Sequence, residues 1–210
     1  MNNRVYWLDI AKGIAIILMV IGHTSIPTVV SNFIYTFHMP LFFIASGLVS
    51  NYDKHSFGEY AKHKSYTLML PFLTYSVIVI LLQCSIGTLD VANLLKTGWG
   101  GYALWFIPIL YLASILSMLI CRIRNRAIRL VIILCMLLMG YGLCHYQIVL
   151  PWTLSTVPYA TFLILVGNEL KHIQKWIETE KSLLGIAVAF IVTVVISHLY
   201  RLDLAWNHIT

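Results

Sequence analysis

Apolar residues run along the chain in long blocks, separated by short stretches that carry proline, charge or several polar groups. An α-helix rises about 1.5 Å per residue, so roughly 20 consecutive apolar residues cover the ~30 Å hydrocarbon core of a bilayer. Blocks of about that length occupy residues 6–26, 32–50, 67–86, 102–121, 130–147, 154–170 and 182–199. They predict an all-α fold, a polytopic transmembrane helix bundle of seven spans forming one integral-membrane domain over residues 1–210. The first block does not read as a cleavable signal peptide: Asp9 and Lys12 interrupt it, it runs long, and no small-residue cleavage site precedes the second block. No fixed-period repeat, low-complexity tract or interdomain linker divides the pattern.

Composition identifies the solvent. Hydrophobic residues make up 60% of the chain and charged ones 10%, against roughly 45–50% and 25% in soluble domains. That balance excludes a water-soluble globular protein. The net charge of +6 is an orientation signal, because basic residues collect on the cytoplasmic side of membrane proteins. Arg4, Lys12, Lys54, Lys62, Lys64, Arg122, Arg124, Arg126, Arg129, Lys171, Lys175 and Lys181 fall at alternate ends of the blocks, leaving Lys96 and Arg201 opposite. This split places the amino terminus in the cytoplasm. The basic run "CRIRNRAIR" then reads as a topology anchor against anionic headgroups, not as a nucleic-acid site. Cys84, Cys121, Cys135 and Cys144 lack the spacing of a zinc site or a disulfide framework and read as packing residues; no metal is expected.

Against this background the ionisable residues inside the blocks stand out, because each is costly in hydrocarbon and normally faces a bundle interior or a water-filled path. In "KGIAIILMVIGH", residues 12–23, Lys12 and His23 are eleven positions apart, which on a helix means about 20° of angular offset and about 16 Å of rise. They share one stripe, with Lys12 at the inner end and His23 at the outer. The second block runs back inward, so His38 lies at nearly the depth of His23 and the two can meet. Pro40 removes a backbone hydrogen bond nearby, and "ASG" at 45–47 lets another helix approach. An imidazole titrates near neutral pH, so His23 or His38 can take a proton from a hydroxyl. Simpler roles also fit: Lys12 snorkelling to headgroups, His23 bonding a neighbouring helix.

"LDIAKGIAIILMVIGHT", followed by "FIYTFHMPLFFIASG", resembles the membrane-bound acyltransferase 3 family, in the branch of fucose 4-O-acetylases and other O-acetyltransferases of bacterial surface sugars. "LWFIPILYLASIL" is similar to the family's Trp-Phe-x-Pro helix, "VGNELKH" to its Gly-containing helix end, and "RLDLAWNHIT" to the outer loop that follows. The resemblance covers essentially the whole chain. It implies transfer of an acetyl or short acyl group from acetyl-CoA to a hydroxyl of a cell-envelope carbohydrate, in the bacterial cytoplasmic (inner) membrane. The resemblance makes His23 the catalytic base or acyl-handling residue and Lys12 the contact for the acyl-CoA donor, while His38, at matching depth, is the second catalytic candidate. Where members carry an arginine four residues before the proline of the third helix, this chain has Thr67 ahead of Pro71, so Lys64 or Lys62 is the candidate to supply that charge. Trp105, with Tyr102, opens the fourth block as an interfacial aromatic or a stacking surface for sugar. Asp9, on a face neighbouring Lys12, is a pairing partner or a substrate contact. Family domains carry about ten helices, which implies that this domain is incomplete at its carboxyl end. The alternative function is a non-catalytic component assisting polysaccharide export, or an inactive remnant. The sequence is silent on oligomeric state.

Overall fold

A computed structural model describes residues 6–92, 94, 104–177, 202–203 and 208–209. Among them the fold is helical, apart from one antiparallel pairing of two-residue strands in which β1 (Leu202–Asp203) sets Leu202 against Ile209 and Asp203 against His208 of β2 (His208–Ile209). Among the described residues three helical segments are long and apolar enough to cross a membrane, Thr28–Val49, Phe57–Ser85 and Arg126–His145, and Phe106–Cys121 is a shorter apolar helix. The expectation of seven spans is met only to that extent, and the block at 182–199 lies outside the described residues.

Local chemistry moves the helix ends away from the block limits. The first block yields α1 (Tyr6–Gly22), which stops short of residue 26 because Thr24 turns its hydroxyl onto the Ile21 carbonyl at 2.7 Å and Pro27, lacking an N–H, starts a new helix. That helix is α2 (Thr28–Val49), with Pro40 inside it. The third block is continuous with a polar entry helix, α3 (Phe57–Lys64), through five residues of π-helix, Ser65–Met69, into α4 (Leu70–Ser85). Pro71 gives a physical reason for the π turn: its ring would clash with the Thr67 carbonyl in an α register, and the Leu70 N–H bonds instead to the Ser65 carbonyl. The fourth block gives α5 (Phe106–Cys121), which begins four residues late. Asn125 starts α6 (Arg126–His145) by accepting the Ala127 and Ile128 N–H groups. The sixth block opens with a 3-10 turn, Pro151–Thr156, before α7 (Val157–Ile177).

The described chain divides into two compact units. The first comprises the described parts of Met1–Ser50, Leu163–Leu204 and His208–Thr210. Here α1 buries Leu8, Ala15 and Gly22, a seven-residue spacing that aligns them along the face packed on α2. Trp7, Ile10, Ile14 and Ile17 are exposed, as residues facing lipid tails should be. The C-terminal half of α2 meets α7 backbone to backbone: a Cβ on Gly47 would collide with the Ile164 carbonyl and lie 2.9 Å from the Asn168 nitrogen, and one on Gly167 would collide with the Ile44 carbonyl. Only glycine permits this approach, the usual device where helices must pack without a hydrophobic driving force.

The second unit comprises the described parts of Asn51–Phe162 and Ala205–Asn207. A capping box opens α3, with Ser56 Oγ accepting the Glu59 N–H at 3.3 Å and the Glu59 carboxylate accepting the Ser56 N–H at 2.8 Å. Tyr52, Tyr60 and Met118 form a buried cluster beneath it. The π turn is tied to α5 by the Ser65 hydroxyl, which donates to the Tyr111 hydroxyl at 3.1 Å. The Arg122 guanidinium donates to the His55 carbonyl at 3.0 Å, joining the two basic loops. Gly140 of α6 packs against Tyr159, whose Cβ would stand 3.0 Å from an added methyl.

Candidate functional site

α1 ends where α2 begins to return, and this turn brings His23 and His38 into one constellation. His23 lies one residue past α1, its N–H still bonded to the Met19 and Val20 carbonyls at 3.2 Å. The residue before it, Gly22, presses against α2: an added Cβ would lie 3.2 Å from Ile34 Cγ2 and 3.9 Å from Tyr35 Cε2. That contact delivers His23 to Tyr35, whose hydroxyl lies 3.3 Å from His23 Nδ1, the rings meeting edge to face with centroids 6.0 Å apart. Tyr35 in turn packs its ring edge to face on His38 at 5.3 Å. The order is therefore His23, Tyr35, His38.

The two imidazoles occupy different environments. His23 is exposed, whereas His38 is buried at 2% exposure. His38 Nδ1 stands 2.7 Å from the Ile34 carbonyl one turn earlier. A carbonyl oxygen can only accept, so Nδ1 carries a hydrogen. Thr36 makes the same kind of bond, its hydroxyl donating to the Asn32 carbonyl at 2.8 Å. Side chains here bond back to the helix just before Pro40, which withholds its own N–H from the ladder.

Lys12 lies within α1 and is half-buried, whereas His23 stands in the turn one residue past that helix. Asp9 is exposed. Lys64 and Trp105 belong to the second unit. Lys64 is half-buried, its Nζ 5.6 Å from the centroid of the buried Tyr60 ring, a cation–π distance. Thr67, in the place of the family's arginine, bonds its hydroxyl to the His63 carbonyl at 2.9 Å, and Lys62 is exposed. Trp105 is buried at 4% exposure, edge to face with Phe106 at 6.2 Å. Tyr102 lies outside the described residues. The basic run "CRIRNRAIR" supplies Arg122 to the His55 carbonyl and Asn125 to the cap of α6.

Tyr35 and Gly22 are the residues that sequence reasoning passed over. The signal was available: Tyr35 precedes His38 by three positions, which puts both on one face of α2, and a glycine directly before the turn marks a close approach.

A family model described as an acyltransferase domain matches residues 5–208. No curated protein matches the chain, and no solved structure does.

Proposed function

The chain belongs to the acyltransferase 3 family, a membrane acyltransferase by that membership, and we propose that it moves an acetyl or short acyl group from acetyl-CoA to a hydroxyl of a cell-envelope carbohydrate. The observation that carries this reading is the His23–Tyr35–His38 constellation at one end of α1 and α2. Acyl transfer to an alcohol needs a base for the hydroxyl proton as the oxygen attacks the thioester carbonyl, and a neutral imidazole, the exposed His23 or the buried His38, supplies one. Lys12, eleven residues before His23 and within α1, is the cation suited to the phosphates of a donor that arrives from the cytoplasm. The carbohydrate enters at the opposite rim, beside His23. Proton and leaving group balance: the alcohol loses its proton to imidazole, the C–S bond breaks, and the thiolate leaves as coenzyme A thiol after regaining that proton.

The fine specificity rests on chemistry that other branches of the family also serve, so the test must read the product. Mass spectrometry of surface glycans from cells with the gene, without it, and with His23→Ala or His38→Ala should show ester-linked acetyl only with the unaltered chain. Membrane insertion of both variants should persist. Glycans carrying the same esters in the absence of the gene would refute the carbohydrate as acceptor.

A further inference from the structure

The connection between α6 and α7 is built inside out for a loop in water. Every residue from His145 to Trp152 is exposed, Tyr146, Ile148, Val149 and Leu150 among them. In the 3-10 turn that closes the connection, Trp152 and Leu154 are exposed while Thr153, Ser155 and Thr156 are buried. Apolar side chains outside and hydroxyls inside reverse the arrangement that water selects. No Asp, Glu, Lys or Arg occurs between Arg129 and Glu169, so nothing in this stretch draws it out into solvent. We propose that residues 145–154 form a lipid-seated loop, with Tyr146 and Trp152 at headgroup depth and Ile148, Val149, Leu150 and Leu154 at the acyl boundary of the leaflet in which α6 ends.

The backbone leaves α6 at a defined point. Gln147 is left-handed at φ 53°, its N–H bonded to the Cys144 carbonyl at 3.1 Å and the Ile148 N–H to the Leu143 carbonyl at 2.9 Å, which is the Schellman ending of a helix. Trp152 and Thr153 are left-handed as well, at φ 60° and 57°. Such backbone is strained at non-glycine residues, most of all at a β-branched one, and in water an exposed indole would offset none of that strain; against acyl chains its ring gains burial. Continuity favours lipid over a protein partner. Leu130, Leu134, Leu138 and Tyr141 are exposed along one stripe of α6, a helix long and apolar enough to cross a membrane, and His145, stacked on Tyr141 at 5.8 Å, carries that stripe into the loop. Depth is limited by the main chain. Ile148, Val149 and Leu150 lie outside any helix or strand, and lipid-exposed backbone of that kind needs water for its amides, so the loop lies along the interface and not across the core.

The test uses the whole chain, one copy per nanodisc of phosphatidylcholine. In a background whose four cysteines are replaced, nitroxide labels on Val149→Cys and Leu154→Cys are read by electron paramagnetic resonance with oxygen and a water-soluble nickel chelate as relaxing agents, and a label on Arg124→Cys serves as the control in water. Oxygen should be the more effective agent at both loop positions, placing them about 5–10 Å below the phosphates, and nickel the more effective at Arg124. Replacing the lipid by phosphatidylglycerol should leave both depths unchanged, because the loop carries no Lys or Arg for an anionic headgroup to attract. The same seating is read without labels or cysteine changes from tryptophan fluorescence: lipid brominated along its acyl chains should quench the unaltered chain more than Trp152→Phe. Nickel as the more effective agent at Val149 and Leu154 would put the loop in water and overturn the inference. Labels shielded from both agents would show protein covering the loop and overturn lipid as its partner, and equal quenching of the unaltered chain and Trp152→Phe would overturn the anchoring by Trp152.

Discussion

A lysine inside an apolar helix is tolerated when its stem lies along protein or lipid and its ammonium reaches water or a counter-charge. Lys12 meets the first condition: it is half-buried, on the flank of the α1 face that packs on α2. If its ammonium receives the phosphates of the donor, Lys12→Gln should raise the KM for acetyl-CoA by about 10–150-fold, since a hydrogen bond to a charged group contributes roughly 1.5–3 kcal/mol. Lys12→Arg, which keeps the charge, should recover most of that loss. A steady-state titration of the donor at saturating acceptor separates KM from kcat, and an unchanged KM in Lys12→Gln would return Lys12 to a snorkelling role. Lys64 provides the contrast. Its Nζ is held 5.6 Å from the Tyr60 ring centroid, so Lys64→Gln is expected to disturb the packing of α3 before it disturbs donor affinity.

Among the elements, the glycines divide by what surrounds them, and stability should divide the same way. Gly47 and Gly167 each face a carbonyl of the opposite helix where α2 meets α7, with no room for a methyl. Gly47→Ala must separate the two backbones, at a cost of about 1–3 kcal/mol for overpacking. Gly13, mid-way along α1, has nothing within 4 Å of an added Cβ, so Gly13→Ala should be neutral or stabilise by roughly 0.5–1 kcal/mol through helix propensity. Thermal unfolding of the two variants in the same detergent should rank them in that order around the unaltered protein. At the start of α3, Ser56→Ala removes the hydroxyl that accepts the Glu59 N–H and should cost about 1 kcal/mol of local helix stability. Faster amide exchange over residues 57–60, with the rest of the chain unaffected, would report it.

For the whole molecule, what the chain made legible follows from which forces are local. Helical class and membrane solvent could be read from block length and composition, because lipid permits few other ways to satisfy a backbone. Helix limits were less legible, since Pro27, Pro71 and Asn125 decide them through single carbonyls and amides. His23 and His38 were visible because ionisable groups are rare in such blocks. Tyr35 was not, because a tyrosine in an apolar run serves equally as packing, and the burial of Trp105 was hidden because an aromatic opening a block suits both an interface and a core. Orientation remains the proposal on which the arrangement of donor and acceptor depends, and the native cysteines can test it. With the amino terminus in the cytoplasm, the exposed Cys84 near the end of α4 belongs outside, and Cys121 at the end of α5 belongs inside. A variant keeping only Cys84 should react with a membrane-impermeant maleimide on intact cells, whereas one keeping only Cys121 should react only after permeabilisation. The reverse pattern would turn the His23–Tyr35–His38 end of the helices toward the cytoplasm, where acetyl-CoA is made, and would leave a surface carbohydrate with no route to the imidazoles.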